Sequence, residues 1–169
     1  DPGRIAVFHK RPNGTIFYEF STLPFRMGDD TISTNINPAC DPVAASVCVH
    51  RTVYRDTITL DKVEGVYTLA YQRCCRNVTV SNIVDPLETG MTLAVEITAE
   101  ARVAANAGPV FKTWPDVYIC VGEPLTYDHG ANDAESDSVV YRLCTPYHGA
   151  SRQVPIPVLP GPPPYQEVV

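Results

Sequence analysis

The chain has 169 residues, 44% hydrophobic and 19% charged, a folded composition with room for one sizeable core or two small β domains and unlike a disordered chain. Its net charge of −6 argues against nucleic acid as a partner, because phosphate binding calls for a basic face. No apolar run approaches the roughly 18 residues of a membrane-spanning helix, so no membrane insertion is expected, and the N-terminal DPGRIAVFHK lacks signal-peptide architecture, which leaves a cytosolic chain or a piece of a larger secreted precursor.

Short β-type runs follow one another along the chain. Arg4 to His9 alternates Ile5 and Val7 with other residues. Pro12-Asn13-Gly14 follows, then Thr15 to Phe20; an Asn-Gly turn between two such runs predicts a β-hairpin. Pro24 to Asp41 reads as loop. Ala45 to Leu60 and Val66 to Arg76 are rich in Val, Thr, Tyr and Ile and predict two strands. Val78 to Val84 predicts a short one. Met91 to Thr98 alternates, with Met91, Leu93, Val95 and Ile97 on one face. Ala99 to Ala107 contains helix formers but continues a strand without an evident cap, and reads as the fraying end of that strand.

Asn106-Ala107-Gly108-Pro109 marks a boundary. Beyond it Thr113 to Tyr141 carries six acids and no Lys or Arg, a stretch that holds the whole net charge. Tyr118 to Val121, Leu125 to Asp128 and Ser138 to Cys144 are its candidate strands. Pro155 to Val169 carries six prolines, including Pro162-Pro163-Pro164, and such a run forms polyproline II or loop instead of a central strand. The reading is all-β, with one sandwich over 1–107 and a second unit over 108–169 that is too short for a complete sandwich.

The six cysteines are Cys40, Cys48, Cys74, Cys75, Cys120 and Cys144. No CxxC pair exists and the four histidines are scattered, which disfavours zinc and favours disulfides in an oxidising compartment. Cys120 and Cys144 flank the acidic loop and are expected to pair. Cys74 and Cys75, as strand neighbours on opposite faces, are expected to bridge to the Cys40/Cys48 segment. The connectivity stays open, with Cys40–Cys75 and Cys48–Cys74 favoured.

Asp128, Asp133, Glu135 and Asp137 crowd one short segment and offer the hard oxygen ligands that calcium takes. The pattern A-x-D-x-[DE] before SVVYRL resembles cadherin-like β-sandwich repeats, and Asn106 to Phe111 resembles the linker N-x-P-x-F of that family. The resemblance implies calcium at a junction near Asn106. Glu135 stands where Asp is usual, and Ser136 where related bacterial repeats often carry Gly. No catalytic set appears: there is no G-x-S-x-G, and His129 beside Asp128 has no nucleophile to serve.

The strings YTLAYQRCCRNVTVSNI, GMTLAVEIT and GPVFKTWPDVYICVGEPLTYDHGANDAESDSVVYRLCTPY resemble a module of large cell-surface proteins of Bacteroidota. Such proteins typically carry Ig-like or cadherin-like repeats and end in a gliding-motility-associated sorting domain for type IX secretion. The module usually has further strands before, and continues after, the segment that this chain spans, so the chain is expected to start and stop inside it. That lineage also implies O-glycans on Asp-[Ser/Thr]-aliphatic tripeptides, here at Thr31, Thr57 and Ser138.

Two functions follow. The first is a non-catalytic structural or adhesive module of an extracellular surface protein or filament, whose partners are neighbouring repeats or copies of itself. The alternative is a carbohydrate-binding accessory module of a secreted enzyme, or one meeting surface glycans. Exposed aromatics discriminate, because a sugar platform needs two or three coplanar rings. The single tryptophan, Trp114, lies beside Pro115 at the boundary and is expected to pack a domain junction.

Overall fold

The computed structural model describes residues 3–32, 49–115, 122 and 124–161. These form eight strands and one short helix: β1 Ile5–Lys10, β2 Ile16–Thr22, β3 Phe25–Ile32, β4 Val49–Arg55, β5 Val66–Arg73, β6 Met91–Ile97, α1 Ala99–Ala104, β7 Val110–Phe111 and β8 Ala131–Asn132. The fold is all-β in its sheets, and the pairings described are antiparallel. No helix among the described residues is long and apolar enough to cross a membrane.

The chain parts into two compact units. One takes the described residues of Asp1–Phe25, Tyr54–Ala105 and Arg142–Val169; the other takes those of Arg26–Val53 and Asn106–Tyr141. The boundary expected at Asn106 coincides with one of these divisions. The units are otherwise interleaved and not tandem, because residues beyond 142 return to the first sheet.

In the first unit the order is β2-β1-β5-β6. The Asn-Gly hairpin forms as its residues dictate: Gly14 takes φ 85°, Asn13 Oδ1 accepts from Thr15 N at 3.0 Å, and Ile5 to Lys10 pairs with Thr22 to Ile16. Ala6, Phe8 and Ala70 form the buried cluster on one face. Residues 147–158 meet this sheet without a strand of their own beyond two isolated bridges. Their backbone groups therefore need side-chain partners. Thr92 Oγ1 donates to His148 O at 3.0 Å, Gln72 Nε2 donates to Val158 O at 2.5 Å, and Val158 N donates to Gln72 Oε1 at 2.7 Å. This is why the polar Thr92 is buried while Met91, Leu93 and Val95 of the same strand are exposed. The approach is close enough to require glycine: a Cβ on Gly149 would lie 2.3 Å from Gln72 Nε2, and one on Gly90 would lie 1.9 Å from Gly149 O.

Several local expectations are corrected. Phe25–Ile32 is a strand and not loop. Its sequence is poor in β formers, but it pairs with β4, where Asp30 meets the opposite charge of Arg51 at 3.0 Å and Asp29 lies 3.3 Å from the His50 ring. Residues 78–84 are turns and bends around one bridge residue, Ile83, and not a strand; Asn77 Oδ1 accepts from Thr79 N at 3.1 Å and starts a turn there. Ala99–Ala104 is a helix and not a frayed strand. Thr98 is its N-cap, accepting from Ala101 N, and the Glu100 carboxyl is held below its ordinary pKa by its own backbone N–H and then by the Thr98 hydroxyl. Residues 125–128 and 138–144 carry no strand. The expected strand at Tyr118 to Val121 lies outside the described residues.

Candidate functional site

The second unit gathers the residues proposed for calcium. Helix α1 ends at Ala105, whose left-handed backbone turns the chain out of the helix. Past Asn106, β7 pairs with β8 through Val110↔Asn132 and Phe111↔Ala131, and Lys112 N donates to Gly130 O at 2.9 Å. This short ladder sets the Asn106 segment beside the acidic loop. Asn106 Nδ2 donates to Asp137 Oδ2 at 2.6 Å, and Ala107 N donates to Glu135 Oε2 at 3.3 Å.

Asp133 organises the loop. Its Oδ1 accepts from Glu135 N at 3.1 Å and from Asp137 N at 2.9 Å. Ser136 sits at φ 65°, the left-handed backbone that glycine takes most readily. Asp128 turns away into its own local turn, accepting from Gly130 N at 2.8 Å. Asn106 thus meets Asp137, Glu135 meets the Ala107 backbone, and Asp133 holds the backbone of residues 135 and 137, while Asp128 is engaged separately. The donor chemistry suits calcium: the remaining oxygens of three carboxylates and of one amide are hard ligands. Among the described residues no three His, Cys, Asp or Glu side chains already converge on one point.

The cysteines depart from expectation. Cys74 and Cys75 are bonded to each other, not to the Cys40/Cys48 segment. Strand β5 ends at Arg73, so the opposite-face alternation behind the expected bridges does not reach them. Cys144 carries a free, exposed thiol; the strand that was to present it, Ser138 to Cys144, does not form. Cys40, Cys48 and Cys120 lie outside the described residues. Around the cysteine pair, Gln72 and Arg76 are structural clamps: Arg76 Nε donates to Gly90 O and Nη2 to Tyr147 O, both at 3.1 Å.

Thr31, Thr57 and Ser138, the three candidate glycosylation positions, are all exposed.

One feature of the second unit was not foreseen. Phe111, Trp114, Leu125, Tyr127 and His129 line a cleft of about 620 Å³. Trp114 is 81% exposed and does not pack a junction among the described residues. Tyr127 and His129 meet edge to face at 4.5 Å. Two hydrogen bonds tie the walls: Tyr127 OH donates to Thr113 O at 2.7 Å, and Thr113 Oγ1 donates to Asp128 O at 3.1 Å.

Comparison with protein-family models, with curated proteins and with solved structures finds no match.

Proposed function

We propose that this chain is a non-catalytic structural and adhesive module of an extracellular surface protein or fibre, with copies of itself or neighbouring repeats as partners. The observation that carries the reading is the open edge of the first sheet. Among the described residues strand β2 pairs only with β1, and its Ile16, Phe17, Tyr18 and Phe20 are all at least 36% exposed. An unpaired strand edge with apolar side chains recruits further strands. The cysteine content and the Cys74–Cys75 bond suit an oxidising compartment. The resemblance to Bacteroidota surface modules supplies the context of Ig-like or cadherin-like repeats, and the exposed hydroxyls of Thr31, Thr57 and Ser138 suit O-glycans.

Sedimentation of the full chain over a range of concentrations tests the reading. Reversible self-association is expected, and the double change Ile16→Lys with Tyr18→Lys should abolish it while the melting curve stays cooperative. A chain that stays monomeric at every concentration, alone and with its neighbouring repeats, overturns it.

Calcium is proposed as the cofactor, held by Asp133, Glu135 and Asp137 with Asn106. Bound there it would offset the mutual repulsion of the carboxylates. At a concentration ten times the dissociation constant it should stabilise the fold by about 1.5 kcal/mol. Thermal melts should rise with calcium and fall back with a chelator, and Asp133→Asn should remove the increment. Identical melts with and without millimolar calcium would leave the loop merely acidic.

A further inference from the structure

We propose that the aromatic cleft of the second unit receives the proline segment Pro162–Tyr165 of a second copy of this chain. The cleft's own chemistry selects the class of ligand. Its walls include the rings of Phe111, Trp114, Tyr127 and His129 and the prolines Pro109 and Pro115. A glycan platform needs coplanar rings, and here Tyr127 and His129 stand at 86° to one another. A polyproline II segment needs the opposite surface. Its pyrrolidine rings lie against aromatic faces, its backbone carbonyls have no internal partner, and its ordering entropy is low. The exposed Trp114 indole N–H, with no partner among the described residues, is a donor for one such carbonyl.

The chain carries a segment of this kind. Residues up to Gly161 are fixed on the first unit, where His148 N donates to Gly161 O at 2.7 Å. The next residues are Pro162-Pro163-Pro164-Tyr165, uncharged until Glu167. Four residues of polyproline II span about 12 Å, in keeping with a pocket of this volume. The acid-rich stretch around the cleft, Thr113 to Tyr141, has no Lys or Arg, so it would repel an acidic segment and accept an uncharged one. The choice of a second copy rests on the self-associating module proposed above. Docking of this kind links copies through a contact separate from the β2 edge.

Trp114 is the only tryptophan of the chain, so its emission reports the cleft. In the full chain it should shift to shorter wavelength as concentration rises. A synthetic peptide of residues 161–168 added to dilute chain should reproduce the shift, and the same peptide with its three prolines changed to alanine should not. Pro163→Asp in the full chain should leave the emission at its dilute value throughout. The Ile16→Lys, Tyr18→Lys chain should keep the peptide response, so that failure of the strand edge and failure of the cleft are read separately. The peptide variants leave the protein untouched, so misfolding does not confound them. No shift with millimolar peptide, or equal shifts with proline and alanine peptides, overturns the proposal. A shift independent of chain concentration but removed by Pro163→Asp would place the chain's own tail in the cleft and overturn the second copy. A shift with soluble oligosaccharides and none with peptide would make the cleft a glycan platform.

Discussion

Replacing Gln72 by alanine is expected to destabilise the first unit by about 3 kcal/mol, a fall in melting temperature of about 6 to 12 °C. Gln72 is 5% exposed. Its amide makes both hydrogen bonds of Val158, giving to the carbonyl and taking from the N–H. A side chain thus stands in for the strand that residues 155–158 do not form. Truncation leaves a donor and an acceptor without partners next to the buried face, each costing about 1 to 3 kcal/mol before water enters. Gln72→Glu gives a sharper diagnosis. A carboxylate accepts from Val158 N but presents an oxygen to Val158 O. A neutral carboxyl restores one donor and one acceptor. The folded state therefore prefers the protonated form, and its pKa lies above the unfolded value of roughly 4.3. That contribution is fully present below the unfolded pKa and is lost as pH rises through the folded one. Gln72→Glu should approach the parent's stability in acid and fall well below it at neutral pH, whereas the deficit of Gln72→Ala should not show that acid recovery. Chemical denaturation at both pH values measures it, and a Glu variant that tracks the Ala variant at both would show that the two bonds do not carry the segment.

The same clamp explains where the sequence was readable and where it was not. The Asn-Gly hairpin was legible because turn and strands are encoded in one continuous stretch, Ile5 to Thr22. Strands β5 and β6 were legible because Val, Tyr, Thr and Leu recur in extended runs. Which residue of β6 is buried was not legible. Alternation favours the side of Leu93 and Val95, but those are exposed and Thr92 is buried, because the covering segment is irregular backbone that needs hydrogen bonds more than apolar contact. Strand β3 escaped for a related reason: Asp29 and Asp30 find their partners in His50 and Arg51 about twenty residues on, and no local period records a cross-strand contact. Helix α1 escaped because Thr98 serves both as the last residue of an alternating run and as a cap. At the acidic loop, local turns tie Asp133 to the backbone of residues 135 and 137, and one short ladder sets Asn106 beside Asp137. Asp128 accepts from Gly130 N in a turn of its own. The aromatic cleft depends on which rings the ladder leaves uncovered, and that is a tertiary property.

Arg102→Ala is expected to cost about 2 to 3 kcal/mol, although the residue sits on a helix of only six residues with none of them buried. Such a helix has little stability of its own, and its guanidinium anchors it. Nη1 donates to Ile97 O at 3.3 Å and, at the limit of hydrogen bonding, to Gly65 O at 3.5 Å; Nη2 donates to Val63 O. The planar group also lies 4.8 Å over the ring of Tyr67, which stacks on His9 on its own strand sheet at 4.5 Å. One side chain therefore joins the helix, the 63–65 turn and the sheet. Lysine keeps the charge but not the fork, so Arg102→Lys should recover only part of the loss. The pH dependence separates this anchoring from a generic surface effect. Burial, then the nearby Asp61 and Glu19, raise the Tyr67 pKa above its ordinary value, while Arg102 opposes them. A phenol with a raised folded pKa contributes stability that is complete below the unfolded value of roughly 10 and is lost as pH rises through the folded one. Removing Arg102 takes away the opposing charge, so the folded pKa of Tyr67 should move further up and the alkaline loss of stability should grow. Absorbance titration of the tyrosines, paired with melts from neutral to strongly alkaline pH, measures both. A variant that loses stability equally at all pH values, with the Tyr67 titration unmoved, would show that Arg102 does not act through this ring.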